Sequence, residues 1–456
     1  MLRHCRGGAA LAASALVGLL AACGGGTNAA GGGSSGVPSS SGVVQAVVPG
    51  VTASTITIGS HQPLTGVLAP GYAEVAPAAK AYFDFVNAHG GVNGRKIDYR
   101  YSDDQSSPIR AKSIVSGFLG AGDVFATFNA LITADHEAVA DDLTAAGMPD
   151  LFVGGGCGCW NAPTTAPSRF GFQPDVTAEG KVLATTMMAR YPGVPIGVLY
   201  QNDAYGQAGL AGVRAVVPPS LLVDAESYST TNGSLVAQVG ALRAKQAGIV
   251  ISFSVPVFTS ELLLTAANLS FHPKIAVSSG GSEPAAVAGE VAKQTEHEAV
   301  AGTVTVLDGV ITDSFLPAPE DVANPWIALF RSVHAADKTI SSQPFDGNTV
   351  YGMAVAQTFV EALRAAGPAL TRASLVRALQ AATLSTTGPA LTPAVLSASN
   401  HGGFTGMRVG VIRSGSLVLD GPVLTTDAGS GPITPVAAPV PAVPSYLTGP
   451  SPSSSS

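Results

Sequence analysis

The chain has 456 residues, 46% of them hydrophobic and only 12% charged, a balance that suits a folded body and argues against disorder. Its formal net charge of -7 and the lack of any basic cluster exclude nucleic acid as a partner. The length allows two domains with separate cores.

Residues 1–23, MLRHCRGGAALAASALVGLLAAC, begin with Arg3 and Arg6 and continue as an apolar run from Ala9 to Ala22, too short to span a bilayer. The run ends in Leu20-Ala21-Ala22-Cys23, which resembles a bacterial lipobox. That resemblance implies a lipoprotein signal peptide over 1–23, lipidation of Cys23, and an exported protein held to a membrane by acyl chains. Residues 24–50 are rich in Gly and Ser and read as a flexible tether. No later segment is long and apolar enough to cross a membrane.

From Thr55 the chain alternates between two patterns. TITIG is a β-branched strand, and GYAEVAPAAKAYFDFVNAHGG has apolar residues at helical spacing with a Gly pair at its end. KIDYRYSDD, DVFATFNA and MPDLFVGGG follow as strands, separated by the helical stretches PIRAKSIVSGFLGAG and TADHEAVADDLTAAG. The alternation then repeats. IGVLYQND, LLVDAESYS, GIVISFSV, KIAVSSGG and GTVTVL read as strands between helical stretches such as AYGQAGLAGVRAVVP and EPAAVAGEVAKQ. Two such runs predict an α/β chain with two doubly wound parallel-sheet lobes, whose ligands sit beyond the carboxyl ends of the strands. Residues 428–456, rich in Pro and Ser, read as a disordered or polyproline-like tail.

Three stretches carry a resemblance to a known family. ITIGSHQPLTG with AYFDFVNAHGGVNGRKIDYRYSDDQSSP, then IGVLYQNDAYGQAG, then YGMAVAQTFVEALRAAG are similar to the type I periplasmic binding proteins of the Leu/Ile/Val-binding class, receptor components of ABC importers. The similarity runs from about Thr55 to Asp420. It implies three crossovers, placed near Gln173-Pro174, near Val304 and between Gly388 and Gly402. The first lobe would then take residues 51–173 and 305–390, and the second 174–304 and 391–427. It also implies hinge closure on a small polar or carboxylate-bearing ligand, an amino acid or a related compound. The closed form would be recognised by an ABC permease.

The resemblance and the strand ends together nominate a site. Tyr72 lies in the first loop, and Thr133 keeps a hydroxyl in the loop after the third strand, where it would also cap the next helix. After the fourth strand, Gly155, Gly156 and Cys157 leave backbone N–H groups open to a ligand, and Trp160 either floors the cleft or packs under the loop. Tyr205 matches the family's second-lobe tyrosine, while Phe253 and Val255 end a second-lobe strand. The family's ammonium-binding acid would follow KIAVSSGG, but Ser279, Gly280 and Gly281 stand there and Glu283 comes later.

Asp135, Glu137, Asp141 and Asp142 share one predicted helix and read as a solvated face. The scattered histidines form no metal-ligand spacing, and no cofactor is implied. Cys157 and Cys159 flank Gly158; an exported protein permits their pairing, and the glycine permits the bend, so a disulfide is expected, with two packed thiols as the alternative. Two other functions stay open: a sensor that passes its closed state to a signalling partner, and an exported thiol enzyme using Cys157.

Overall fold

The computed structural model describes residues 48–295, 305–381 and 388–448. The expected signal peptide with Cys23, the expected tether up to residue 47 and residues 449–456 lie outside the described residues.

The first sheet contains β1 (Thr55–Gln62), β2 (Lys96–Asp103), β3 (Ala126–Phe128), β4 (Asp150–Val153) and β5 (Arg169–Gly171). Its order is β2-β1-β3-β4-β5 and every pair is parallel. Helices α1 (Val75–Ala88), α2 (Pro108–Ala121) and α3 (Thr133–Ala145) make the crossovers. All but the first of β1's eight residues are buried, as a strand covered by helices on both faces requires.

The second sheet begins after α4 (Val176–Arg190). It takes β6 (Ile196–Gln201), β7 (Leu222–Tyr228), β8 (Ile249–Phe253), β9 (Lys274–Val277) and β10 (Ile311–Ser314) as parallel strands. Helices α5 (Ala204–Val216), α6 (Val236–Ala244), α7 (Pro256–Asn268) and α8 (Pro284–Gln294) cover it. The chain then returns to the first lobe as α9 (Pro325–Ala336), α10 (Gly347–Ala366) and α11 (Arg372–Gln380), and α10 places Phe359 against Phe83 and Phe128 in that core. Two strands, β11 (Arg408–Arg413) and β12 (Ser416–Leu419), finish the second sheet as antiparallel edges.

The crossings differ in part from the sequence-based placement. The first runs between Phe172, in the first-lobe core, and Val176, in the second. The second comes after Ser314 and not near Val304: Thr305–Leu307 is a 3-10 turn, β10 follows it, and Phe315 and Leu316 are the first residues in the other core. Gly302–Val304 of the expected strand GTVTVL lie outside the described residues. The third lies between Phe404 and Met407, because Ala394, Leu396 and Phe404 still pack in the first lobe.

The tail is also a correction, because its apolar residues find a surface. β13 (Val423–Thr425) pairs with β14 (Thr434–Val436), and the loop between them encloses the buried ammonium of Lys181. That group donates to Thr426 Oγ1 at 2.8 Å, and to the carbonyls of Asp427, Gly429 and Gly431 at 3.0, 2.8 and 2.9 Å. The chain then crosses to the first lobe. There Pro441 O accepts from Trp326 Nε1 at 3.0 Å, and α12 (Ser445–Thr448) buries Leu447 and stacks Tyr446 on Arg364. The segment from 428 to 448 is therefore a strap between the lobes and not a disordered end.

Candidate functional site

A cavity of about 280 Å³ lies between the two sheets, at the carboxyl ends of their strands. Tyr72, Thr133, Gly155, Tyr205, Val255, Ser279 and Gly280 all line it. Phe253 does not: it is fully buried in the second-lobe core, filling the space left by Gly180 and Gly209. Gly156, Cys157 and Trp160 line a second cavity of about 250 Å³ beside the first crossing.

The first-lobe wall is made from backbone bent out of the usual regions. Asn129, Ile132 and Phe152 have φ of 46°, 64° and 56°, a conformation that is costly for non-glycine residues and that clusters at functional sites. Ile132 takes the N-cap position of α3 without a side-chain cap, so Thr133 is the first helical residue and not the cap. Its hydroxyl makes a 3.5 Å contact with Gly155 O. Gly155 has φ 138°, and a Cβ there would stand 2.6 Å from Thr133 Oγ1 and 3.6 Å from Trp160 Nε1. Glycine is required at that approach. Trp160 therefore backs the cleft floor with its Nε1, a buried donor with no partner. Behind it, Gln173 Oε1 accepts from Tyr351 OH at 3.1 Å and from Gly155 N at 3.4 Å.

Two tyrosines from the two lobes meet over Gly280. Tyr72 OH donates to Gly280 O at 2.5 Å, and a Cβ on Gly280 would lie 3.5 Å from Tyr205 OH. Asp203 caps α5 through Gly206 N at 3.0 Å, which fixes the helix start that carries Tyr205. A second link between the lobes runs from Gly347 N to Glu283 Oε2 at 3.1 Å.

The electrostatics of the cavity are one-sided. Its lining has no Lys or Arg among the described residues but includes Glu283, Asp313, Glu320 and Asp346. Asp313, on β10, is 3% exposed and its Oδ1 has no partner. Behind it Glu179, on the first turn of α4, accepts from Ser279 N at 2.5 Å. Burial, then the charge of Glu179, drives the Asp313 carboxyl well above the usual range, and burial also raises Glu179. At the cleft mouth, burial and then Asp346 push Glu74 up to about 9, and burial and then Asp346 push Glu283 up to about 8. The sequence had flagged Glu283 alone; Glu179 and Asp313 lie far apart in the chain and no spacing pairs them.

Cys157 and Cys159 form a disulfide with Cα atoms 5.1 Å apart. It faces the second cavity, with Gly158 packed on Asp175.

The profile of the periplasmic binding protein family matches residues 55–416. A Brucella abortus protein named Leu/Ile/Val-binding protein homolog 8 is 26% identical over 350 residues, covering 72% of this chain and 80% of the relative. Among solved structures, the fatty acid ABC transporter substrate-binding protein from Thermomonospora curvata aligns with a TM-score of 0.71 at 20% identity, covering 86% of this chain and 97% of that one. A branched chain amino acid ABC transporter protein from Thermus thermophilus, with bound valine, gives 0.68 at 14% identity, covering 82% and 98%. At these identities the structural likeness establishes the fold.

Proposed function

The chain belongs to the periplasmic binding protein family, and on that premise we propose that it is an extracytoplasmic receptor that closes two lobes on a small molecule and presents it to an ABC importer. Tyr72 and Tyr205, one from each lobe, meet the same segment at Gly280; a ligand touching both lobes would favour the closed form. The lobes would hinge at the three crossings, after Phe172, Ser314 and Phe404. Anchoring through a lipidated Cys23 is part of the same reading, tested by loss of membrane association in Cys23→Ala.

The observation that carries the ligand class is the unpartnered Asp313 oxygen in a cavity lined by carboxyl groups and no base. Asp313 and Glu179 are both raised by burial, and a ligand ammonium would favour an ionised carboxylate there and give the Asp313 oxygen the partner it lacks. The opposite wall offers neutral groups, the Thr133 hydroxyl among them, to a carboxylate or carbonyl oxygen. An amino compound with an apolar body fits both ends, a branched-chain amino acid among them. A fatty acid would offer the Asp313–Glu179 pair no cation.

Thermal shift with a matched set tests this: leucine, the amine lacking its carboxylate, and the acid lacking its ammonium. The ammonium-bearing compounds should raise Tm by mass action, and Glu179→Gln/Asp313→Asn should weaken their binding by about 1.5–3 kcal/mol. Equal stabilisation by the acid alone would overturn the ligand class. A confirmed ligand that leaves the radius of gyration unchanged would overturn hinge closure.

A further inference from the structure

Inside the first lobe, behind the cleft wall, titratable side chains stand in a line. Asp104 Oδ2 is 2.7 Å from His61 Nδ1, and His61 Nε2 is 3.0 Å from His136 Nδ1. His136 Nε2 is 2.9 Å from Asp150 Oδ2, to which Arg169 Nε also donates at 3.1 Å. Each member is at most 8% exposed. They come from β1, the residue after β2, α3, β4 and β5, so no local spacing announces them.

The contacts fix a proton count. Each imidazole donates one N–H to its own carboxylate. Two neutral rings have no further proton, and would face each other across 3.0 Å with two lone pairs. A third proton converts that repulsion into an N–H···N bond. The array is then neutral: two carboxylates, one imidazolium shared by two rings, and one guanidinium.

We propose that His61 and His136 form a site that binds one proton between them, and that its occupancy is coupled to the ligand cleft. The array meets the cleft in two places. His136 lies one turn along α3 from Thr133. Its ring also meets Trp160 edge to face at 5.1 Å, and Trp160 Nε1 lies beside Gly155 at the cleft floor. A positive charge on His136 raises the potential at these donors and favours an electron-rich ligand oxygen there. By linkage, that oxygen favours the proton equally. This last step rests on the cleft being the ligand site; the proton site itself does not.

The surroundings set the direction of titration. Burial pushes His61 below the ordinary imidazole value, opposed by its bond to Asp104. Asp150 is held below its usual range because His136 and Arg169 outweigh the effect of burial. Thr127 Oγ1 donates to Asp150 at 3.0 Å, and Ser106 N to Asp104 at 2.9 Å. On α3, Glu137 faces solvent, while Asp135 is 2% exposed with Oδ2 unpartnered, raised to about 7 by burial and then by Asp104. The sequence-based reading of Asp135 as part of a solvated face is corrected here. Arg169 also lies 5.8 Å over the Trp160 ring, so indole and array share one cation.

Nitrogen-resolved NMR of the full chain, titrated from pH about 8 to about 4 across the imidazole range, decides the matter without any ligand. Its failure is thus separate from failure of the ligand reading. The His61 and His136 rings should titrate at one common midpoint and take up one proton between them. The Thr133 amide and the Trp160 indole N–H should shift at that same midpoint. Two independent steps, or rings neutral throughout, overturn the shared site. A common step that leaves Thr133 and Trp160 unmoved overturns the coupling. Where it folds, His61→Gln should abolish the common step; a common step that survives in it also counts against the pair.

Discussion

The Tyr205 ring is 6% exposed in the second-lobe core, while its hydroxyl meets Ser278 Oγ at 2.5 Å at the cleft. Packing and site are therefore separable only by the right substitution. Tyr205→Phe keeps the ring and should cost about 1 kcal/mol of stability. Tyr205→Ala opens a cavity and should cost about 3–5 kcal/mol, so its binding loss could not be read alone. Denaturant midpoints of the two variants check this, and equal losses would show the ring is not packed as described. Asp313 makes the opposite case. Its folded carboxyl is held protonated well above the usual range, so folding takes up a proton that the unfolded chain releases. The stability it contributes is complete below the ordinary carboxylate range and is lost as pH rises toward the folded value, by about 1.4 kcal/mol per pH unit. Asp313→Asn imitates the protonated form. It should flatten the fall of stability between pH about 5 and 8 and leave the variant more stable than the parent at pH 7. Parallel profiles for the two proteins would contradict the raised carboxyl.

At the scale of elements, alternation of β-branched runs with helical periodicity made β1–β4 and β6–β9 readable in order, but not β5, β10, β11 or β12. What escaped had physical reasons. α4 buries nine of its fifteen residues, so it has no polar stripe to mark its period. β10 carries Asp313, which argues against a strand, whereas GTVTVL has strand composition but its described part, Thr305–Leu307, is a 3-10 turn. Of the site, strand ends and the family pattern located Thr133, Gly155 and both tyrosines; Glu179, Asp313 and Gln173 converge only through tertiary folding. The strap was hidden by its Pro and Ser content, because its anchors are few: Pro441, Tyr446 and Leu447. Deleting 432–456 should remove those anchors and lower stability by about 2–4 kcal/mol, one buried leucine plus a lost indole hydrogen bond. Deleting from Thr426 onward should cost more, because it also strips the oxygens around buried Lys181. Thermal melts of both truncations test the order, and an unchanged Tm in each would refute the strap's role. The Cys157–Cys159 ring is too small to constrain the unfolded chain, so Cys159→Ser should shift the global Tm little. Alkylation of denatured, unreduced protein should label neither cysteine.

Over the whole molecule, the contacts that hold the lobes together include carboxyls facing carboxyls. Glu283, from the second lobe, accepts from Gly347 N, at the start of α10 in the first. Asp346 caps that helix through Thr349 N at 2.8 Å, and Glu74 stands nearby with a buried, unpartnered Oε2. Glu74 and Asp346 both belong to the first lobe, so the carboxyl that closure itself buries is Glu283, which rises to about 8. Separated into water, carboxyls return to the ordinary range near 4. The closed arrangement therefore binds protons that an open one would release. For acids raised in this way, the favourable contribution is complete below the ordinary range and is lost as pH climbs through the raised values. Closure should thus be firmest below the ordinary carboxylate range near 4 and weaken progressively as pH rises to about 8. Scattering across that range should show the radius of gyration increasing in the ligand-free protein. Glu283→Gln keeps an oxygen for Gly347 N but cannot ionise, so it should stay compact to higher pH. A parent protein whose radius does not change between pH about 4 and about 10 would show that Glu283 does not govern the opening of the lobes.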